Sequence, residues 1–207
     1  MAGELKLERE GGYQMRYKGI NHLALATRDM DMTTRFWRDL LGMRLVAAFG
    51  KPGYRQYFFE VSGDDLVAFF EWAEVEPVEE KDAGRVVKGP FVFDHVSLGV
   101  ENDDALWDLK ERLEANDLWV SEVIDNGFIH SIFTFDPNGI SLEFSCAVRD
   151  VDIRRSPVLA DAQPGETRKE GPEPQPGKWK PAGRQTPVGV RRMYPGEMKK
   201  YVKPDAG

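Results

Sequence analysis

Three histidines, His22, His95 and His130, and a single cysteine, Cys146, are the only nitrogen and sulfur donors of their kind in this chain, so metal or acid–base chemistry has few residues to draw on. Two of the histidines stand in similar runs. One reads Ile20-Asn21-His22-Leu23-Ala24-Leu25-Ala26, the other Phe93-Asp94-His95-Val96-Ser97-Leu98-Gly99-Val100. In both, a histidine is followed by alternation of large apolar and small residues, the period-two signature of a strand with two different faces. Leu23, Leu25, Val96, Leu98 and Val100 belong to a packed layer. His22 and His95 share the other face with Ala24, Ala26, Ser97 and Gly99, whose small side chains leave open space. Glu143 follows the turn at Gly139 by four residues and supplies a carboxylate on a further strand. Two imidazoles and one carboxylate, with other positions open, suit a divalent first-row metal such as Fe(II). The open positions would admit substrate or oxygen. Taken singly, a strand histidine is commonly structural and a strand glutamate commonly at the surface. Ligation is favoured because two of three histidines hold the same place in two repeats.

Positioning them takes two modules of one pattern. After the first strand comes a helix over 29–42, with the i,i+4 pairs Phe36/Leu40 and Trp37/Leu41, an acidic start that suits the helix dipole and Gly42 as a stop. After the second comes a helix over 103–113 with Leu106, Leu109 and Leu113 in one stripe. Strand-like runs follow each helix: 44–49, 54–61 and 66–72, then 119–123, 128–135 and 140–146. Ser62-Gly63-Asp64-Asp65 and Asp136-Pro137-Asn138-Gly139 are hairpin signals. The fold class expected is α+β: two βαβββ modules, an N-terminal lead over 1–17, modules at 18–76 and 91–149 joined by a linker at 77–90, and a C-terminal arm at 150–207.

Composition supports a body with a real core and an arm without one. Of the 207 residues, 41% are hydrophobic, 11% aromatic and 30% charged, and the net charge is −7. From Asp150 onward the balance is +4, against −11 before it, and nine of the 13 prolines fall at or after Pro157. Such a segment cannot bury a core of its own. It is expected either to be disordered or to lie on its own domain or on a second subunit through the apolar anchors Trp179, Val188, Val190, Met193, Tyr194 and Tyr201. The acidic balance argues against a nucleic-acid partner, and no apolar run reaches the ~20 residues of a membrane helix. The start lacks the apolar stretch of a secretory signal. One thiol makes no intrachain disulfide and no CxxC is present, so a reducing cytoplasm is expected. Cys146 reads as a filler on the layer opposite Glu143.

The motifs NHLAL, FWRDLLGM, FDHVSLGV and FDPNGISLEF resemble the vicinal oxygen chelate superfamily, which includes glyoxalase, extradiol dioxygenase and bleomycin- and fosfomycin-resistance proteins. The resemblance covers about residues 18–147. It implies two modules forming a cupped mixed sheet around a metal cleft. It also implies His22, His95 and Glu143 as ligands of one divalent ion, with Fe(II) favoured and Mn(II), Ni(II), Co(II) or Zn(II) as alternatives. It further implies a homodimer in which the arm packs on its own or the partner subunit.

The reaction turns on departures from the family pattern. Glyoxalase-type relatives bring a fourth ligand from the last strand of the first module. Aligning the hairpins at an offset of 74 puts Phe69 there, with Glu71 two residues on. The same offset places Arg55, Tyr57 and Phe59 on the cleft face, with Tyr57 a proton donor and Arg55 an anion holder. Phe69, Phe133 and Phe135 would add aromatic walls for a flat substrate. Three protein ligands resemble the extradiol dioxygenases, but Phe133 stands where their tyrosine is expected and no histidine falls near 124–126. His130 would act as acid or base only if a bulge near Gly127 turned it inward. The favoured function is an Fe(II) dioxygenase or oxygenase acting on a small aromatic or vicinal-diol substrate. The alternatives are a glyoxalase-like lyase, isomerase or epimerase, and a metal-free drug-binding protein.

Overall fold

The computed structural model describes residues 17, 19–86, 93–175, 177–178, 186–200 and 202. Two compact α+β units divide between Glu76 and Pro77. Trp179 and Tyr201 lie outside the described residues.

In the first unit, strands β1 (His22–Thr27), β2 (Arg44–Lys51), β3 (Tyr54–Glu60) and β4 (Leu66–Glu71) form one sheet in the order β1-β4-β3-β2. β1 runs parallel to β4, and the other pairs are antiparallel. Helix α1 (Met30–Thr34) crosses between β1 and β2, capped by the Asp29 carboxylate, which accepts from the Met32 amide at 2.9 Å. The regular helix expected over 29–42 is α-helical for only these five residues and continues as a π-helical segment, Arg35–Leu40. The wider turn lets the consecutive Phe36 and Trp37 both bury against the sheet. Trp37 packs on Phe69 (5.4 Å between rings), and Phe69 on Phe59 (6.3 Å). The core therefore lies on the face that carries Leu23, Leu25, Val67 and Phe69.

The second unit repeats the plan. β5 (Val96–Gly99), β6 (Ile124–Asp125), β7 (Ile129–Phe135) and β8 (Ser141–Ala147) are ordered β5-β8-β7-β6, and helix α2 (Asp103–Glu114) follows β5. The Asn102 side chain caps α2 by accepting from the Ala105 amide at 2.9 Å. Leu106 and Leu113 are fully buried with Ile132 and Leu142. The strand expected over 119–123 is absent, and β6 begins only at Ile124, just past that stretch, and is two residues long. One backbone and two side-chain hydrogen bonds tie the 119–123 segment to β7 instead. The Ser121 amide donates to the Phe133 carbonyl, the Phe133 amide to Ser121 Oγ, and Thr134 Oγ1 to the Trp119 carbonyl.

Of the residues read as a linker, the described ones, 77–86, contact the second unit. The Val78 amide donates to the Asn138 carbonyl at 2.8 Å, on the turn before β8. Gly139 closes that turn at φ +77°, and a Cβ there would lie 1.9 Å from the Val78 carbonyl oxygen, so no other residue fits. Asp136 organises the same turn, its carboxylate accepting from the amides of Asn138 and Ile140.

Beyond β8 the described chain has only one helical turn, α3 (Glu166–Lys169), and short 3₁₀ turns at Val188–Val190 and Glu197–Lys200. Met193 is 99% exposed and Tyr194 85%. These two expected anchors therefore do not pack on their own chain. Among the described residues no helix is long and apolar enough to cross a membrane.

Candidate metal centre

The second unit brings a histidine and a buried carboxylate together. Val96 pairs with Leu142 and Ser97 with Glu143, which aims the side chains of His95 and Glu143 to one side of the sheet. His95 Nε2 lies 3.3 Å from Glu143 Oε2, and the Glu143 side chain is only 7% exposed. On the far side of the ring, His95 Nδ1 contacts Asp94 Oδ1 at 2.6 Å. Asp94 also accepts from the Gly84 amide and the Lys81 ammonium, each at 2.9 Å. The His95 hydrogen bond first, then the Gly84 amide and Lys81, hold the Asp94 carboxyl far below the usual carboxylate range. With Nδ1–H donating to Asp94, Nε2 presents its lone pair to a carboxylate oxygen. In that neutral tautomer the two acceptors face each other at this distance, one of them nine-tenths buried, and could hold a cation between them. The donor set of imidazole and carboxylate suits a first-row divalent ion.

In the first unit, His22 opens β1 with the same local chemistry. Its Nδ1 contacts Asn21 Oδ1 at 2.9 Å, leaving Nε2 available. Each histidine also meets one phenylalanine edge-on: His22 and Phe58 at 5.7 Å, His95 and Phe133 at 5.8 Å. These matching pairs fix the correspondence between the modules. His22 answers to His95, and Phe58 to Phe133. Phe58 pairs with Ala68 and Phe133 with Glu143, so the counterpart of Glu143 is Ala68, an offset of 75.

That register corrects the expected first-module site. A one-residue slip reverses every side chain. Phe69, Glu71, Arg55, Tyr57 and Phe59 all lie on the helix-facing side of the sheet, away from His22. Phe59 and Phe69 are core. Glu71 is fully engaged: it takes the Met30 amide at 2.8 Å and both Nε and a terminal nitrogen of Arg55. Arg55 reaches on to Asp31 at 3.1 Å. Glu71 is therefore a helix clamp. Ala68 leaves the His22 face without a carboxylate where the second unit carries Glu143.

His130 pairs with Cys146, while Phe133 pairs with Glu143, so alternation turns His130 to the face opposite Glu143. Its Nδ1 contacts Asp103 Oδ1 at 2.6 Å, and no bulge brings it round. Phe133 and Phe135 do share Glu143's face. With Trp119, Ile124, Ser121 and Arg85 they border a cleft of about 400 Å³. Trp119, expected in a strand, lies outside one; its ring packs on Phe135 at 5.5 Å and forms a wall of this cleft. Asn21 and Asp94 were not singled out as site residues either. The signal was present, since a polar residue immediately precedes each repeated histidine.

Fold and site define a protein built of paired βαβββ modules with a histidine at the opening of each. The profile of the Glyoxalase/Bleomycin resistance protein/Dioxygenase superfamily matches residues 19–144, and the chain belongs to that superfamily. It is 25% identical over 138 residues to the iron-dependent extradiol dioxygenase of Rhodococcus jostii (strain RHA1), a match covering 65% of this chain and 45% of that protein. It thus spans less than half the length of that relative. It is 25% identical over 125 residues to the lactoylglutathione lyase of Haemophilus influenzae, covering 60% of this chain and 90% of that enzyme. The glyoxylase/bleomycin resistance protein/dioxygenase domain from Frankia sp. EAN1pec superposes with a TM-score of 0.55 at 20% identity, over 66% of this chain and 96% of that one, a likeness of fold.

Proposed function

We propose that this protein is a metal-dependent enzyme in which His22, His95 and Glu143 hold one divalent ion, and that it is an Fe(II) oxygenase for a small aromatic substrate. The observation that carries the reading is the buried Glu143 carboxylate facing His95 Nε2 at 3.3 Å. When bound, iron would supply Lewis acidity and one-electron chemistry toward oxygen. The chain's own contribution is positional. Asp94 fixes the ring plane and tautomer of His95 and raises its basicity as a ligand, while Asn21 orients His22. Burial of Glu143 keeps water from competing for its oxygens. Phe133, Phe135 and Trp119 offer ring faces to a flat substrate, and Arg85 at the rim offers a cation to an acidic substituent. Ala68, in place of a second carboxylate, leaves coordination positions for a bidentate substrate and oxygen.

A second reading is a redox-neutral lyase or isomerase, supported by the lactoylglutathione lyase that the match covers over 90% of its length. Oxygen uptake separates the two. Fe(II)-reconstituted protein is expected to hold about one iron per chain and to consume oxygen with aromatic diols. Glu143→Gln should lose both iron and uptake. Equal turnover under anaerobic conditions with Zn(II), which has no redox chemistry, would select the lyase. Full iron content in a His22→Ala, His95→Ala, Glu143→Gln triple variant would remove the site altogether.

A further inference from the structure

On the opposite face of the second sheet, three elements deliver three different donors to one point. Asp103 comes from the first turn of α2, His130 from β7 and Cys146 from β8. His130 Nδ1 and Cys146 Sγ both converge on Asp103 Oδ1, at 2.6 and 3.1 Å, and all three ligand atoms lie within 4.8 Å of one another. His130 and Cys146 are direct cross-strand neighbours, so the sheet register fixes their spacing. We infer that Asp103, His130 and Cys146 form a second cation site, distinct from the Glu143 centre, for a thiophilic divalent ion such as Zn(II).

Thiolate, imidazole and carboxylate are the three protein ligand types that zinc takes, with bonds of about 2.0–2.3 Å, which set tetrahedral ligands about 3.3–3.8 Å apart. The present spacing is tighter at the carboxylate, whose side chain is 61% exposed and free to withdraw by the required ångström. The protons of the His130 ring and the Cys146 thiol now occupy the place of the ion, both pointing at the same carboxylate oxygen. Binding replaces them: the S–H bond breaks, a Zn–S bond forms, and the thiol proton leaves to solvent. Where the imidazole is protonated, it releases a second proton. Binding therefore releases at least the thiol proton, and affinity rises with pH. Asp125, 3.7 Å from His130 Nε2, faces the other ring nitrogen.

The test uses the full chain, stripped by chelation and titrated with Co(II) and then Zn(II). The wild type and Glu143→Gln should both develop thiolate-to-cobalt charge-transfer absorption, which Zn(II) bleaches, with proton release. Cys146→Ser and His130→Ala should lose it. His130 is partly exposed, so its variant keeps the test valid if Cys146→Ser fails to fold. Absence of thiolate absorption in the wild type at saturating Co(II), or unchanged Co(II) affinity in His130→Ala, overturns the site. Loss of iron in Glu143→Gln with the cobalt–thiolate signal intact separates this site from the proposed catalytic one.

Discussion

The two units share a topology and place their chemistry differently at two equivalent points. On the histidine face, the second unit sets Glu143 beside His95, whereas the first sets Ala68 on the face of His22. On the helix face, the first unit closes the sheet onto α1 with Arg55 and Glu71, a cross-strand pair that also takes the Met30 amide. The equivalent cross-strand pair in the second unit is His130 and Cys146, meeting Asp103 in the first turn of α2. One scaffold position thus carries a satisfied ion pair in one copy and a set of metal-type donors in the other. Duplication supplies the geometry, and side-chain identity decides what that geometry does. A carboxylate stands at this place on the histidine face in the second module, and none at the equivalent place in the first.

The largest effect expected follows from the register that assigns Ala68, and not Phe69, to the position of Glu143. Phe69 is fully buried between Trp37 and Phe59. Phe69→Glu places an unpaired charge in that core and should cost more than about 4 kcal/mol, enough to unfold the first unit. Ala68→Glu puts the same group on the face of His22. Ala68 is itself fully buried, so this variant should lose stability without metal, but it should recover its fold with a divalent ion present, bind that ion more tightly and suppress oxygen uptake. Thermal melts of the two variants with the ion present decide the matter. A folded Phe69→Glu beside an unfolded Ala68→Glu would reverse the register.

The sequence carried the repeat itself because periodicity and turn residues are local. His22 and His95, the alternation after each and the Asp136–Gly139 turn all depend on neighbours within a few positions. The shared face of Phe133, Phe135 and Glu143 in the second module was legible for the same reason, since it follows from alternation counted back from one turn. The faces of β3 and β4 were not legible. Their phase depends on how many residues lie between His22 and Leu66 against the equivalent stretch in the second module, and a difference of one residue sends Arg55, Tyr57, Phe59, Phe69 and Glu71 to the wrong side. The role of the linker was hidden for a different reason. Val78, Lys81 and Gly84 meet Asn138 and Asp94 through long-range backbone and charge contacts that leave no periodic trace.

That linker sets an intermediate prediction. His95 is oriented by a carboxylate that Lys81 and Gly84 hold in place, while His22 is oriented by the neutral Asn21. Asp94→Asn makes the second unit resemble the first at this point. It should weaken metal binding by about 10–100-fold while leaving the melting temperature of the metal-free protein close to that of the wild type. Isothermal titration with Mn(II), which avoids oxidation, reads the affinity. An unchanged affinity would mean that Asp94 serves only to anchor the linker.

The smallest effect concerns the charges on the two helices. In α2, Lys110 is buried and its ammonium donates to Glu114 at 2.5 Å and to the Ser121 carbonyl at 3.2 Å, tying the helix to the chain that leads into β6. The charges on the π-helical segment of the first unit are solvated: Asp39 accepts from Arg35 and Arg38, each at 2.7 Å, at the surface. The Arg38 hydrogen bond first, then that of Arg35, lowers the Asp39 carboxyl to about 2. A folded-state value below the unfolded one, near ~3.9, means that the contribution is complete above the unfolded value and disappears as pH falls through about 2. Asp39→Asn should therefore lower the melting temperature slightly at neutral pH and low salt. The difference should close in acid, and equally in ~1 M salt, where the screening length falls to about 3 Å. Lys110→Met, which leaves the Ser121 carbonyl without its donor inside the unit, should cost about 1–3 kcal/mol and keep most of that cost in salt. If the Asp39→Asn difference persisted at high salt, the carboxylate would be shaping the π turn through its hydrogen bonds and not through its charge, and the two helices would be held in the same way.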